Sequence, residues 1–194
     1  MSVILRPGCA AEQLMHLTCA AAVAICDALE QTCGIRPNIK WTNDLVAGKR
    51  KLAGILTELS FHSSGTLDYA VVGIGVNCCQ KETDFPPDIR EIAGSLHSVT
   101  GKDIDREKVA AGMMDALYRM SQHLLSDKEA VLNQYRNDCI TLGKEISVVK
   151  ADGSNRHGTA LDIDADGGLI VRFDGSIETV TAGEVSVRGM YGYV

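Results

Sequence analysis

Residues 40–56 read Lys40-Trp-Thr-Asn-Asp-Leu-Val-Ala-Gly-Lys-Arg-Lys-Leu-Ala-Gly-Ile-Leu56. Asn38 to Trp41 predicts a short strand. Thr42-Asn43-Asp44 is turn chemistry, because Asn and Asp side chains bond to nearby backbone. From Lys51 to Phe61 the chain takes on β character, with Leu52, Ile55 and Leu56 on an apolar stretch. The Asn43-Asp44 pair sets an amide and a carboxylate at the rim of a sheet, a common ligand position in α/β and α+β folds. Taken alone, the pair reads first as a capped turn. Lys51 also has two readings. It is an edge-strand charge, or a cation aimed into a pocket floored by Gly54 and suited to phosphate and developing negative charge.

Outward from this stretch, Tyr69 to Val76 is a nearly unbroken apolar run interrupted by Gly73 and Gly75. That predicts a central strand approached closely by something. Gly73-Ile-Gly-Val-Asn77 is no dinucleotide fingerprint, since the third glycine and the following helix are missing. The glycines clear space for a flat ligand and the Asn77 amide suits an adenine edge, or they mark a bulge near a strand end. Met1 to Arg6 reads as a short strand. Ala10 to Cys33 reads as a helix stopped by Gly34. Ile89 to Val99 reads as holding a short helix. Asp105 to Leu125 reads as a helix with Asp105 at its N-cap and a Val109, Met113, Leu117, Met120 stripe, followed by a helix over Asp127 to Cys139 that pairs with it. Beyond Leu142 the texture changes to short strands at Ile146–Val149, His157–Ala160, Gly168–Val171 and Ile177–Val180. Asp-Gly turns separate them, which predicts a small antiparallel barrel or sandwich.

The 194 residues therefore divide into one large and one small unit, 1–141 and 142–194. A net charge of −6 argues against a chain dominated by nucleic-acid contacts. The longest apolar run, Cys19 to Cys26, is far below the ~20 residues of a membrane span, and no signal peptide is evident, so a cytoplasmic protein is expected. The seven cysteines include no C-x-x-C pair. Cys19, Cys26 and Cys33 share one helix face and read as reduced thiols packed as small hydrophobes.

In order and spacing, Lys40-Trp-Thr-Asn-Asp44, Arg50-Lys-Leu-Ala-Gly-Ile-Leu-Thr-Glu58, Gly73-Ile-Gly-Val-Asn77, Ile92-Ala-Gly-Ser-Leu96 and the final Gly183-Glu-Val-Ser-Val-Arg188 resemble the bacterial biotin protein ligases. The resemblance implies an α+β fold: a mixed or antiparallel sheet flanked by helices, like class II aminoacyl-tRNA synthetases, with a C-terminal SH3-like β-barrel. It implies a biotin–[biotin carboxyl-carrier protein] ligase that makes biotinyl-5′-AMP from biotin and Mg-ATP, then biotinylates a lysine of biotin carboxyl carrier protein. Lys51 matches the essential lysine at the biotin carboxylate and α-phosphate. Asp44 matches an acidic residue at the reacting centre, which holds Mg²⁺ or orients the acceptor lysine. Asn43 and Asn77 line the adenylate site, Gly54, Gly73 and Gly75 form the floor beneath the biotin ring, and Trp41 is a ligand contact or core packing. The Gly183-Glu184 turn lies near the nucleotide. No permanently bound cofactor is implied. Homodimers formed by sheet-edge pairing are known in parts of the family.

The sequence departs from the pattern at its start. The family's Gly-Arg-Gly-Arg loop and the DNA-binding winged helix have no counterpart, and Thr42 stands where proline is usual. The expectation is a fragment or a natural truncation of a ligase that makes biotinyl-5′-AMP slowly or not at all by itself and does not bind DNA. The alternative is an inactive module that docks a carrier protein or a second copy.

Overall fold

The computed structural model describes residues 1–150, 153–181 and, as backbone, 185–189. The Gly183-Glu184 turn lies outside the described residues. Strands β1 (Ser2–Leu5), β2 (Asn38–Lys40), β3 (Asp44–Ala47), β4 (Arg50–Phe61) and β5 (Leu67–Val76) form one sheet in the order β1-β5-β4-β3-β2, with every neighbouring pair antiparallel. Helix α1 (Leu17–Cys33) lies on one face of it. Alternation along β4 and β5 sends Ala53, Ile55, Val72 and Ile74 into the core beneath α1. It sends Gly54, Leu56, Gly73 and Gly75 to the other face, where Leu56 is 61% exposed.

α1 is buried nearly all round because the sheet and two further helices, α3 (Arg106–His123) and α4 (Lys128–Asp138), cover it. By length and composition alone the stretch Ala11–Cys33 is apolar enough to cross a membrane, which the run-length reading missed, and 72% of its apolar window is buried inside the protein. Gly34 ends the helix at φ 73°, a left-handed conformation that costs glycine little. Asp105 caps α3, accepting from the Glu107 and Lys108 N–H groups, both at 3.0 Å. α3 and α4 were expected to pair with each other. Instead both pack principally on α1, whose apolar surface is larger than either neighbour's.

The short helix expected within Ile89–Val99 lies at the end of that span. That segment is mostly turns, and only α2 (Leu96–Thr100) is helical, capped by Ser95 and ended by Gly101 at φ 67°. Strands β6 (Glu145–Lys150), β7 (Asn155–Ile163), β8 (Leu169–Phe173), β9 (Ser176–Val180) and β10 (Val185–Gly189) form a second antiparallel sheet, β10-β6-β7-β8-β9, consistent with an SH3-like fold. Arg136 of α4 reaches Asp162 Oδ1 at 3.0 Å and the Ile163 carbonyl at 2.7 Å. Lys128 meets Asp166 at 2.9 Å. These contacts seat the second sheet against the helical layer.

Candidate functional site

Register builds the site. Lys40 pairs with Asp44, Asp44 with Gly54, and Gly54 with Gly75, so the four residues form one row across β2, β3, β4 and β5. Directly opposed residues in an antiparallel sheet project to the same face. The row therefore lies on the face away from α1, and Gly54 and Gly75 leave bare backbone where side chains would stand. A Cβ at Gly75 would meet nothing within 4 Å.

Lys51 joins that face through a break in register. It is three residues from Gly54, so strict alternation would send it to the opposite face. Leu45 pairs with Ala53 but Val46 pairs with Lys51, leaving Leu52 as the extra residue of a β-bulge. Lys51 is thereby opposed to Val46, two residues on from Asp44. Its Nζ lies 2.5 Å from Asp44 Oδ1, with the lysine side chain 40% exposed and the aspartate 17%. A Cβ at Gly54 would lie 3.3 Å from Lys51 Cε and Nζ and 3.7 Å from Asp44 Oδ1. The ion pair thus rests directly on the glycine.

The segment 92–94 holds Lys51 from outside the sheet. The Lys51 N–H donates to the Ile92 carbonyl at 2.7 Å, and the Gly94 N–H donates to the Lys51 carbonyl at 2.9 Å. Asn77 ties this clamp down. Its Nδ2 donates to the Gly94 carbonyl at 2.9 Å and its own carbonyl accepts from Leu96 N–H at 2.8 Å. Asn43 acts similarly on β4, donating from Nδ2 to the Ile55 carbonyl at 2.7 Å and accepting the Ile55 N–H at 3.0 Å. Both asparagines border the glycine floor, each with one amide N–H bonded to backbone.

Trp41 is placed elsewhere. It is 5% exposed, and its indole N–H donates to the Gly167 carbonyl of the second sheet's β7–β8 turn at 3.0 Å. It packs within the core cluster. Gly73 lies on the same face as Gly54, one row away, opposite Leu56 and Ser2. Among the described residues no group of three or more His, Cys, Asp or Glu could hold a metal ion, and all seven cysteines are free. Burial pushes the Cys19 and Cys26 thiols up to about 12, which suits inert core packing.

Residues 141–188 match the biotin protein ligase C-terminal domain, and residues 1–77 match the biotin/lipoate A/B protein ligase family. A biotin--[acetyl-CoA-carboxylase] ligase of Paracoccus denitrificans is 31% identical over 197 residues, covering 97% of this chain and 79% of that protein. The chain belongs to the biotin protein ligase family. A bifunctional ligase/repressor BirA of Bacillus subtilis is 29% identical over 188 residues, 96% of this chain, and the chain spans 57% of that relative's length. Among solved structures, the biotin protein ligase of Aquifex aeolicus in complex with biotin and ATP superposes with a TM-score of 0.81 at 27% identity, covering 97% of this chain and 77% of that one.

Sequence reading missed three contributors: the β-bulge at Leu52, the 92–94 clamp, and Lys40 in the Asp44 row. One signal for the clamp was present in Gly94. A Cβ there would sit 2.9 Å from Arg50 Cβ and 3.2 Å from Leu52 Cδ2, so only glycine lets the segment lie against β4.

Proposed function

We propose that this chain carries the biotin-activating and biotin-transferring site of a biotin protein ligase. A carboxylate oxygen of biotin attacks the α-phosphorus of ATP and pyrophosphate leaves, giving biotinyl-5′-AMP. The ε-amine of a lysine on biotin carboxyl carrier protein then attacks the acyl carbonyl, and AMP leaves as the amine loses a proton. The observation that carries this reading is the Lys51–Asp44 pair lying on the Gly54–Gly75 floor.

Two anions must meet in the first step. An ammonium fixed between them offsets their repulsion and the charge that builds on the phosphoryl oxygens. Lys51 has three donors, so it can keep Asp44 while bonding both a carboxylate and a phosphate oxygen. Asp44 aims the ammonium and is the carboxylate available to orient the acceptor lysine. Asn43 and Asn77, with Nδ2 engaged by backbone, would contact the adenylate through Oδ1, which matches the donor N6 of adenine. The bare backbone at Gly54, Gly73 and Gly75 admits a flat ring. Mg²⁺ belongs to this reading as part of the nucleotide substrate, since one carboxylate plus phosphates and retained waters is ordinary Mg²⁺ coordination. The Aquifex relative bound to biotin and ATP supports the choice of substrates over a non-catalytic module. We also infer a cytoplasmic setting, and the open edge of β1 as the place where a second copy would pair.

The test is a thermal shift with synthetic biotinyl-5′-AMP. At one hundred times its Kd the ligand should stabilise the protein by about 2.7 kcal/mol, several degrees in Tm. Lys51→Ala should lose most of that shift while keeping the unliganded Tm. An absent shift, or one of equal size in Lys51→Ala, would overturn the assignment.

A further inference from the structure

Trp41, Thr42, Asn43 and Asp44 form a strap between β2 and β3, and four different parts of the chain hold its four residues. The Trp41 N–H donates to Thr141 Oγ1 at 2.9 Å, and its indole N–H donates to the Gly167 carbonyl at 3.0 Å. The Thr42 carbonyl accepts from the Tyr135 hydroxyl of α4 at 2.8 Å. Asn43 is bonded twice to Ile55, and Asp44 meets Lys51. Tyr135 is fully buried. Burial also raises its hydroxyl well above the usual phenol range, so at neutral pH it remains a donor.

The strap needs such partners. β2 and β3 are joined by the three residues Trp41–Asn43, and the ladder between the strands is already complete at the Lys40–Asp44 pair. The Thr42 carbonyl has no place in that ladder, and a partly buried carbonyl left without a partner carries a cost. The hydroxyl of a residue 93 positions away meets it instead. Asp44 is the residue that leaves the strap, so the strap sets where its carboxylate begins. Lys51 is fixed independently by the 92–94 clamp. Beyond the β3–β4 ladder that the two partners share, each partner of the ion pair has an anchor of its own.

We propose that Tyr135 and Trp41 are positioning residues of the site: their buried O–H and N–H donors hold the strap so that Asp44 meets Lys51 above Gly54. This inference rests on the proposed function, because it assigns the two residues a role in adenylate binding and not only in folding.

The experiment is a double-mutant cycle read by the Kd for biotinyl-5′-AMP, with the unliganded Tm measured in parallel. Tyr135→Phe keeps the ring and removes the hydroxyl donor, and Trp41→Phe keeps a smaller aromatic ring and removes the indole N–H. Each is made alone and combined with Asp44→Asn. Each should weaken binding about 5- to 10-fold when Asp44 is present and less than about 2-fold in the Asp44→Asn background, since contacting groups couple and independent ones add. Equal losses in both backgrounds would mean general support of the fold and would overturn the inference, as would no loss in either. Should Tyr135→Phe fold poorly, Trp41→Phe carries the same test. A wild-type protein that does not bind biotinyl-5′-AMP overturns the proposed function and this inference with it. A wild type that binds, with uncoupled variants, overturns this inference alone.

Discussion

Gly54 shows how one missing side chain decides what the open face can hold. The atoms nearest its absent Cβ are the far end of Lys51 and the Asp44 carboxylate, at 3.3 and 3.7 Å. Both are ends of side chains that can swing aside, so the fold can absorb a larger residue and the ion pair cannot keep its place. Gly54→Val should leave Tm within a few degrees and weaken biotinyl-5′-AMP binding at least about tenfold, as expected when a fixed cation moves by an ångström. Calorimetry and a ligand titration on the same preparation check both halves. A variant with native affinity would show that the pair does not work from this position. Lys51, Gly54 and Asp44 stood out in the sequence through the order and spacing of the ligase-like motifs, since taken singly the lysine also fits an edge-strand charge and the aspartate a capped turn. What put them on one face was not readable. The bulge comes from the Leu45–Ala53 and Val46–Lys51 pairing, and no residue type at Leu52 announces it.

At the scale of elements, the helices were the most legible because each carries its own signals. α3 has an acidic cap and an apolar stripe, and it spans Arg106–His123 as that pattern implies. Asp105→Ala should remove two side-chain bonds from the first turn and cost about 1 kcal/mol, a Tm drop of a few degrees in heat-induced unfolding. No loss would mean that water satisfies those N–H groups equally well. Elements made by partners were less legible. β3 is only Asp44–Ala47, and its first residue carries turn chemistry, so nothing local marks a strand until β2 and β4 flank it. Ile89–Val99 has enough apolar residues for a helix. Its Ile92 carbonyl and Gly94 N–H are instead engaged by Lys51, and that bargain is invisible without the strand it serves. Trp41 and Tyr135 belong to the same class: their meaning lies 126 and 93 residues away.

For the whole molecule, the junction between the helical layer and the second sheet passes through His16. It lies just before α1 and is fully buried, with Nε2–H donating to the Leu124 carbonyl at 2.9 Å. Its Nδ1 is buried without a hydrogen-bond partner among the described residues. A Cβ on Gly167, in the turn that receives the Trp41 indole, would lie 3.7 Å from His16 Cα. The Lys128–Asp166 ion pair spans the same junction. Burial pushes the His16 pKa below its ordinary 6.5. The Leu124 carbonyl raises it, Lys128 lowers it and Asp166 raises it, and the net direction is down. The folded protein thus refuses a proton that the unfolded chain accepts near pH 6.5. Its stability is fully present above that pH and falls as pH drops toward the folded value. His16→Gln keeps an N–H for the Leu124 carbonyl and cannot be protonated. The Tm of the native protein should therefore fall more steeply than that of His16→Gln between pH 7.5 and 5.5, and the two curves should converge in shape above pH 7.5. Parallel curves across the whole range would show that His16 takes its proton without disturbing the junction. A steeper native curve would assign the difference between the two curves in that interval to this one buried imidazole.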